Sequence, residues 1–414
     1  MLSGYRALDL TTSDGHLCGR ILADLGVDVI KVEAPGGDSG RKQEPFYGDE
    51  AHPERSFFWL AYNLGKRGIT LNLKTIEGKK LFQRLAQKAD FILESFPPGH
   101  MDELELGYDT LQQINPRIIY TSISPFGQDG PYVNFKGPDI VAMAMGGFMH
   151  LTGDPDRPPL RVSFPLAYNM LASTQAAFGT LIAFHHRQRT GLGQHVSVSA
   201  QESVVATLGF VLPLWELNKV LAKRVGSFWF RSGGENEAQQ RVVWPCRDGA
   251  VAFMAMGGLA GLHSNQALVK WIDEEQMADD FLRSIDWSGF DPRMVPQEFH
   301  QDIEKRIGRF FMEHTKRELH EGAQKRGIHL QMVSTFNDIL ESEQLRARQF
   351  WVDMPHPELS TSIKFPGPFI KASESPLRLE HRAPTLGEHN EDIYRGLLKL
   401  SATEIEDLKE RGII

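Results

Sequence analysis

Few side chains in this sequence stand in a pattern that does chemistry unaided. His185 and His186 are adjacent imidazoles that could exchange protons. They close an apolar helical run, where a helix C-terminus favours partial positive charge, and they read as structural. Cys18 could be a nucleophile, but it falls on the apolar face of a helix and reads as a buried thiol. The methionines and phenylalanines around 143–149 read as core. No G-x-G-x-x-G follows the first apolar run, which speaks against a dinucleotide site, and Walker, H-E-x-x-H and G-x-S-x-G patterns are missing too. Two cysteines, Cys18 and Cys246, cannot build a disulfide framework or a thiolate metal cage, so no metal is expected.

The elements that must position any site alternate strand and helix. Arg6–Leu10 is a short apolar run, Thr11–Gly15 a turn, and Leu17, Ile21, Leu22 and Leu25 recur at helical spacing before Val27–Val32. Gly26 suits the position just past a helix end. Further strands are expected at Gly68–Leu73, Ala89–Glu94, Arg117–Ile123 and Gln194–Ser199, with helices at Thr75–Lys88, Tyr108–Ile114 and Met170–Arg187. This is an α/β pattern with a parallel sheet. Ligands in such folds lie beyond the carboxyl ends of strands, so the loops after Leu10, Glu94 and Ile123 are the places to search.

Beyond about 220 the composition shifts. Gly226–Glu237 reads as a crossover, and Arg241 to about Thr335 as a smaller domain with strands near Val242 and Val251 and a helix at Gln266–Ile272. Ser401 with Glu404 makes a capping box for the last helix. The net charge of −8 argues against nucleic acid as a partner. Met170–Phe184, interrupted by Ser173, Thr174 and Gln175, falls short of the ~18 apolar residues of a membrane span. The first ten residues lack the look of a signal peptide, and a cytoplasmic location is expected.

A series of longer segments carries more information than any short motif. In order they are Leu22–Glu33, Asn63–Lys74, Ala89–Gly99, Asn115–Tyr120, Phe126–Tyr132, Arg189–Ser199 and Ala383–His389. The series resembles the family III CoA-transferases over nearly the whole chain, least between about 220 and 340. The resemblance implies a large doubly wound parallel-sheet domain built from both chain ends, with a smaller inserted α/β domain and an interlocked dimer. The corresponding expectation is residues 1–220 for the first part of the large domain, 225–335 for the small domain and 336–414 for the return.

It also implies a reaction in which an aspartate attacks an acyl-CoA thioester, so that CoA moves to a carboxylic acid acceptor. Coenzyme A thioester would be a substrate and no cofactor would be tightly bound. The nucleophile belongs at the start of the helix that leads into Arg189–Ser199; counting back from Gly179 and Gln194 gives Asn169, or Tyr168 with a one-residue slip, and neither is acidic. A carboxamide nitrogen is not nucleophilic, because its lone pair is delocalised. The family pattern places CoA contacts at Lys74, Ser95, Phe96, Lys136 and Asp139. Glu103 and Ala34 fall where relatives carry arginines, and Asp14 where they often carry glutamine. Racemases of the family need a histidine where Pro138 stands. The expected role is therefore the non-catalytic subunit of a hetero-oligomer with a homologous catalytic partner, as in two-subunit members such as one of anaerobic toluene degradation. Two alternatives are a homodimeric acyl-CoA isomerase or dehydratase, with Asp139 or Glu94 as base, and a CoA-thioester-binding scaffold.

Overall fold

The computed structural model describes residues 1–229, 239–377 and 379–414. Two compact units divide them: one comprises 1–148, 162–207 and 344–414, the other 149–161 and 208–343. The expected boundaries were 220, 225 and 335. Most of the crossover expected at 226–237 lies outside the described residues.

The first unit holds six parallel strands: β1 (Arg6–Leu10), β2 (Asp28–Glu33), β3 (Arg67–Thr70), β4 (Phe91–Glu94), β5 (Ile119–Ser124) and β6 (Gln194–Ser199). Their order across the sheet is β3-β2-β1-β4-β5-β6. The order reverses between β1 and β4, which is the doubly wound topology and places a ligand crevice at that junction. Side-chain alternation gives the sheet two covered faces. Leu8, Leu10, Ile30, Ile92 and Tyr120 face one core, packed with Leu81, Phe82 and Leu85 of the helix Ile76–Ala86. The same core takes Ile393, Tyr394, Ile405 and Leu408, so both chain ends build one hydrophobic interior. On the other face Phe91 meets Phe184 of the helix Ser173–Thr190 at 5.7 Å between ring centroids.

Local signals set the ends of these elements. Thr75 caps its helix by accepting from the Gly78 amide at 3.0 Å. Gly26, at φ +97°, lies just beyond the helix His16–Asp24. Ser401 and Glu404 form the expected capping box. Gly191 ends the helix Ser173–Thr190 in the left-handed conformation, φ +80°, and two residues on the backbone passes very close to β5. A Cβ at Gly193 would sit 1.9 Å from the Ile118 carbonyl oxygen. We expect Gly193→Ala to force β6 away from β5 and cost about 3 kcal/mol, read as a lower urea midpoint at unchanged slope.

An antiparallel hairpin, β10 (Trp351–His356) and β11 (Thr361–Pro366), belongs to the same unit and was not expected from the sequence. It packs Met354 and Phe365 against Trp59 and Leu64.

The second unit holds β7 (Val243–Cys246), β8 (Gly249–Phe253) and β9 (Leu330–Met332), an antiparallel sheet in chain order. The helix Gln297–Met312 buries Ile303, Ile307, Phe310 and Phe311, the one-face spacing of an amphipathic helix. These meet Trp244, Phe253 and Trp271 in one core. The helix carrying Trp271 spans Gly258–Glu274, longer than the expected 266–272.

Candidate functional site

The carboxyl end of β1 rests on a buried ionic lattice. Asp9 and Lys66 are fully buried, and Lys66 Nζ donates to Asp9 Oδ2, the His16 carbonyl and Asn63 Oδ1, each at 2.8 Å. Three donors thus meet three acceptors. Burial alone would raise the Asp9 pKa, but Lys66, then Lys31 and His16, outweigh it and hold the carboxyl below its ordinary range. Burial pushes His16 down to about 4, so the ring is neutral near pH 7 despite Asp38 Oδ1 at 3.1 Å from Nε2. Asp38 also pairs with Lys31 at 3.4 Å. Beside it Arg41 clasps Glu33 with two bonds of 2.6 and 2.9 Å. Polar residues inside strands β1 and β2 gave the sequence reading no signal, because Asp9 and Lys31 interrupt otherwise apolar runs.

This lattice fixes the Thr11–Gly15 turn, and the turn is fastened across the crevice. The Thr12 amide donates to Ser95 Oγ at 2.8 Å, and the two hydroxyls lie 3.1 Å apart. Ser95 and Phe96, both half-buried, therefore sit at the point where strand order reverses. The Phe96 amide donates to Glu94 at 2.7 Å, and its ring lies against His100 at 4.9 Å.

A second cluster gathers around Asn169. The chain enters the helix Ser173–Thr190 through a wide π-helical turn, Ala167–Ala172, a feature frequent at functional sites. Asn169 is only 3 % exposed, and its Oδ1 has no hydrogen-bond partner. The neighbouring Tyr168 amide donates to Asp139 Oδ1 at 3.2 Å, and Tyr168 Oη donates to the Gly137 carbonyl at 2.6 Å. Burial, then the Asp139 and Asp38 charges, raises the Asp14 pKa. The turn after β1 thus brings Asp14 close to Asp139 and Tyr168. Burial, then Asp14 and Asp139, raises Tyr168 as well.

Of the residues singled out from sequence, the structure brings Ser95 and Phe96 together at the crevice, and joins Asn169 and Asp139 through Tyr168. Lys74 and Lys136 are exposed, the first in the loop after β3 and the second just before the helix Asp139–Met145. Among the described residues no cluster of three or more His, Cys, Asp or Glu could hold a metal ion. Nor is any described helix long and apolar enough to cross a membrane. Within the second unit a cavity of about 1050 Å³ is lined by Phe210, Trp229, Met254, Met256 and Phe290 among others.

Residues 2–390 match the family described as CoA-transferase family III. The chain is 32 % identical over 415 residues to the succinyl-CoA:(R)-benzylsuccinate CoA-transferase subunit BbsE of Thauera aromatica, covering 100 % of this chain and 98 % of the relative. It is 33 % identical over 426 residues to a formyl-CoA:oxalate CoA-transferase of Streptomyces avermitilis, covering 100 % and 99 %. Among solved structures, a CAIB/BAIF family protein from Brucella suis superposes with a TM-score of 0.81 at 28 % identity, covering 96 % of this chain and 99 % of that one.

Proposed function

The chain belongs to CoA-transferase family III, whose substrates are CoA thioesters, and on that premise we propose that it is the non-catalytic subunit of a hetero-oligomeric CoA-transferase. The observation that carries this reading is the carboxamide of Asn169, buried in the π-helical turn next to Tyr168, whose amide donates to Asp139. Thioester exchange through the enzyme needs an ionised oxygen to attack the acyl carbon and expel CoA thiolate. In this assembly a homologous partner chain supplies that oxygen, and the present chain shapes and completes the assembly.

Exposed apolar side chains support a partner. On the helix Ser173–Thr190, Phe178 is 65 % and Ile182 53 % exposed. In the second unit Phe210 is 67 % and Leu217 82 % exposed. Surfaces of this kind suit a covering chain, in keeping with an interlocked dimer. The name of the Thauera relative, a subunit, points the same way. Its substrates, succinyl-CoA and benzylsuccinate, are the first pair to assay. Lys74, Ser95, Phe96, Lys136 and Asp139 remain the proposed CoA contacts. Both cysteines are free and buried, which suits a reducing cytoplasm.

Reconstitution tests the proposal. The chain alone is expected to exchange CoA at background rate, and a co-purifying homologue with Asp at the position of Asn169 should restore turnover. Robust exchange by the single purified chain would overturn it. One observation favours a second reading, an acid–base enzyme acting on acyl-CoA. The raised pKa of Asp14 beside Asp139 is the kind of paired-carboxylate environment that holds a transferable proton. Tight acyl-CoA binding with isomerase or dehydratase turnover by the isolated chain would select that reading.

A further inference from the structure

A buried carboxyl stands at the carboxyl end of β4. Glu94 is 5 % exposed. The parallel register pairs Glu94 with Ser122 on β5, and Tyr120 with His195 on β6. These side chains therefore share one face of the sheet. Ser122 stands directly beside Glu94 in the parallel pair, its hydroxyl opposing the rise in the Glu94 pKa, and its Oγ lies 2.9 Å from His195 Nε2. Ser122 is buried, whereas His195 is exposed on the edge strand β6. An imidazole, a hydroxyl and an interior carboxyl thus stand next to one another from the exposed edge strand inward.

A second feature marks the same place. A cavity of about 110 Å³ opens beside the line, its wall including Tyr108, Tyr120, Gln128 and Asp102. Tyr120 Oη and Gln128 Nε2 are buried there without a hydrogen-bond partner, and Tyr120 is only 2 % exposed. The His195 ring stacks on Tyr108 at 5.6 Å and meets the edge of Tyr120 at 5.5 Å, which fixes Nε2 toward Ser122. Glu94 is a candidate base by sequence, but nothing local in the chain joins it to Ser122 or His195, which lie 28 and 101 residues further on.

We propose that His195, Ser122 and Glu94 form a proton relay between solvent and the carboxyl that grips the Phe96 amide, which makes Glu94 a positioning residue for the Ser95–Gly99 loop. The steps balance. With Glu94 ionised, Nε2–H donates to Ser122 Oγ, and the Ser122 hydroxyl donates to the carboxylate. Water delivers a proton to Nδ1. The Nε2–H bond then breaks as a new Oγ–H bond forms, and the original Oγ–H proton passes to the carboxylate. Imidazolium and carboxylate become imidazole and carboxylic acid, with no other reactant.

The surroundings favour traffic in both directions. Burial raises Glu94 to about 7, with Asp102 adding to the rise and the Ser122 and Phe96 bonds opposing it. Burial lowers His195, against the pull of Asp102 and Asp109. Burial thus disfavours the charged form of both groups, so neither holds its charge firmly against the other. An ionised carboxylate accepts the Phe96 amide more strongly than the neutral acid, so the loop is held more firmly as pH rises through neutrality. The relay does not depend on whether Phe96 touches CoA.

The test uses the full chain without substrate. Labelling with ¹³C-carbonyl serine and ¹⁵N-phenylalanine selects the Ser–Phe pairs 56–57, 95–96, 163–164 and 227–228, and Phe96→Leu identifies the one of interest. The Phe96 amide peak is expected to move continuously with pH, with a midpoint near 7. Glu94→Gln should abolish that movement. Ser122→Ala and His195→Phe should convert it to two peaks that trade intensity, because the buried carboxyl has lost its fast route to water. A Phe96 peak that ignores pH between about 5 and 9 in the unaltered chain overturns the proposal. So do Ser122→Ala and His195→Phe titrations that match the unaltered chain, whether or not Glu94→Gln folds.

Discussion

Incubated alone with acyl-CoA and hydroxylamine, this chain is expected to yield no hydroxamate at any aspartyl or glutamyl side chain, while a partner carrying aspartate at the corresponding position yields one. The expectation follows from electron distribution. The Asn169 nitrogen shares its lone pair with the carbonyl, and its Oδ1 is a neutral acceptor. Where a covalent nucleophile is removed from an enzyme, turnover falls by as much as about 10⁶-fold, and a deficit on that order is expected here relative to a competent subunit. Mass spectrometry of tryptic peptides would read the adduct directly. A trapped acyl group on this polypeptide would end the non-catalytic reading. Asn169→Asp makes a sharper test. The new carboxyl would be buried next to Tyr168, whose amide donates to Asp139 and which lies near Asp14, a carboxyl whose own pKa burial and Asp139 already raise. Like charges and burial keep such a group protonated above the usual carboxylate range. Adduct formation by that variant should therefore climb with pH through neutrality instead of levelling off near pH 5. A pH-independent yield above pH 5 would show that the site tolerates the charge.

Lys66→Met is expected to lower stability by about 3–5 kcal/mol, the usual cost of stranding one member of a buried pair. At roughly 2–4 °C per kcal/mol for a unit of this size, the melting temperature should fall by about 10 °C. Asp9 and Lys66 are both fully buried, 2.8 Å apart. Without the ammonium, burial raises the folded-state pKa of Asp9 above its ordinary 3.8. The folded state then binds the extra proton, so stability falls as pH rises from that value toward the new one. The deficit should accordingly be smaller at pH 5 than at pH 8. Asp9→Asn combined with Lys66→Met removes both charges and should cost less than the sum of the single changes. A Lys66→Met melt within two degrees of the unaltered chain would show that the lattice contributes little. Because the lattice fixes the turn that reaches Ser95, loss of stability and loosening of the crevice should appear together.

The sequence by itself determined the strand–helix alternation, the family resemblance, and the identity of the atoms at position 169. These are local or one-dimensional properties: apolar periodicity, capping residues such as Thr75 and Ser401, and the order of long segments. Their physical signal is written in neighbouring residues, so no folded structure is needed to see it. Tertiary structure decided which polar residues meet. Asp9 and Lys66 are 57 positions apart, Thr12 and Ser95 83, and Ser122 and His195 73. The hairpin at 351–366 escaped notice for a related reason, since Pro355 interrupts a run whose strand character depends on pairing with its partner. The parallel register aligns Glu94, Ser122 and the His195 ring on one face, and a slip of one residue would scatter them. Charge pairing inside a core is a property of three-dimensional neighbours and of the low dielectric that strengthens their interaction, and neither exists until the sheet has formed.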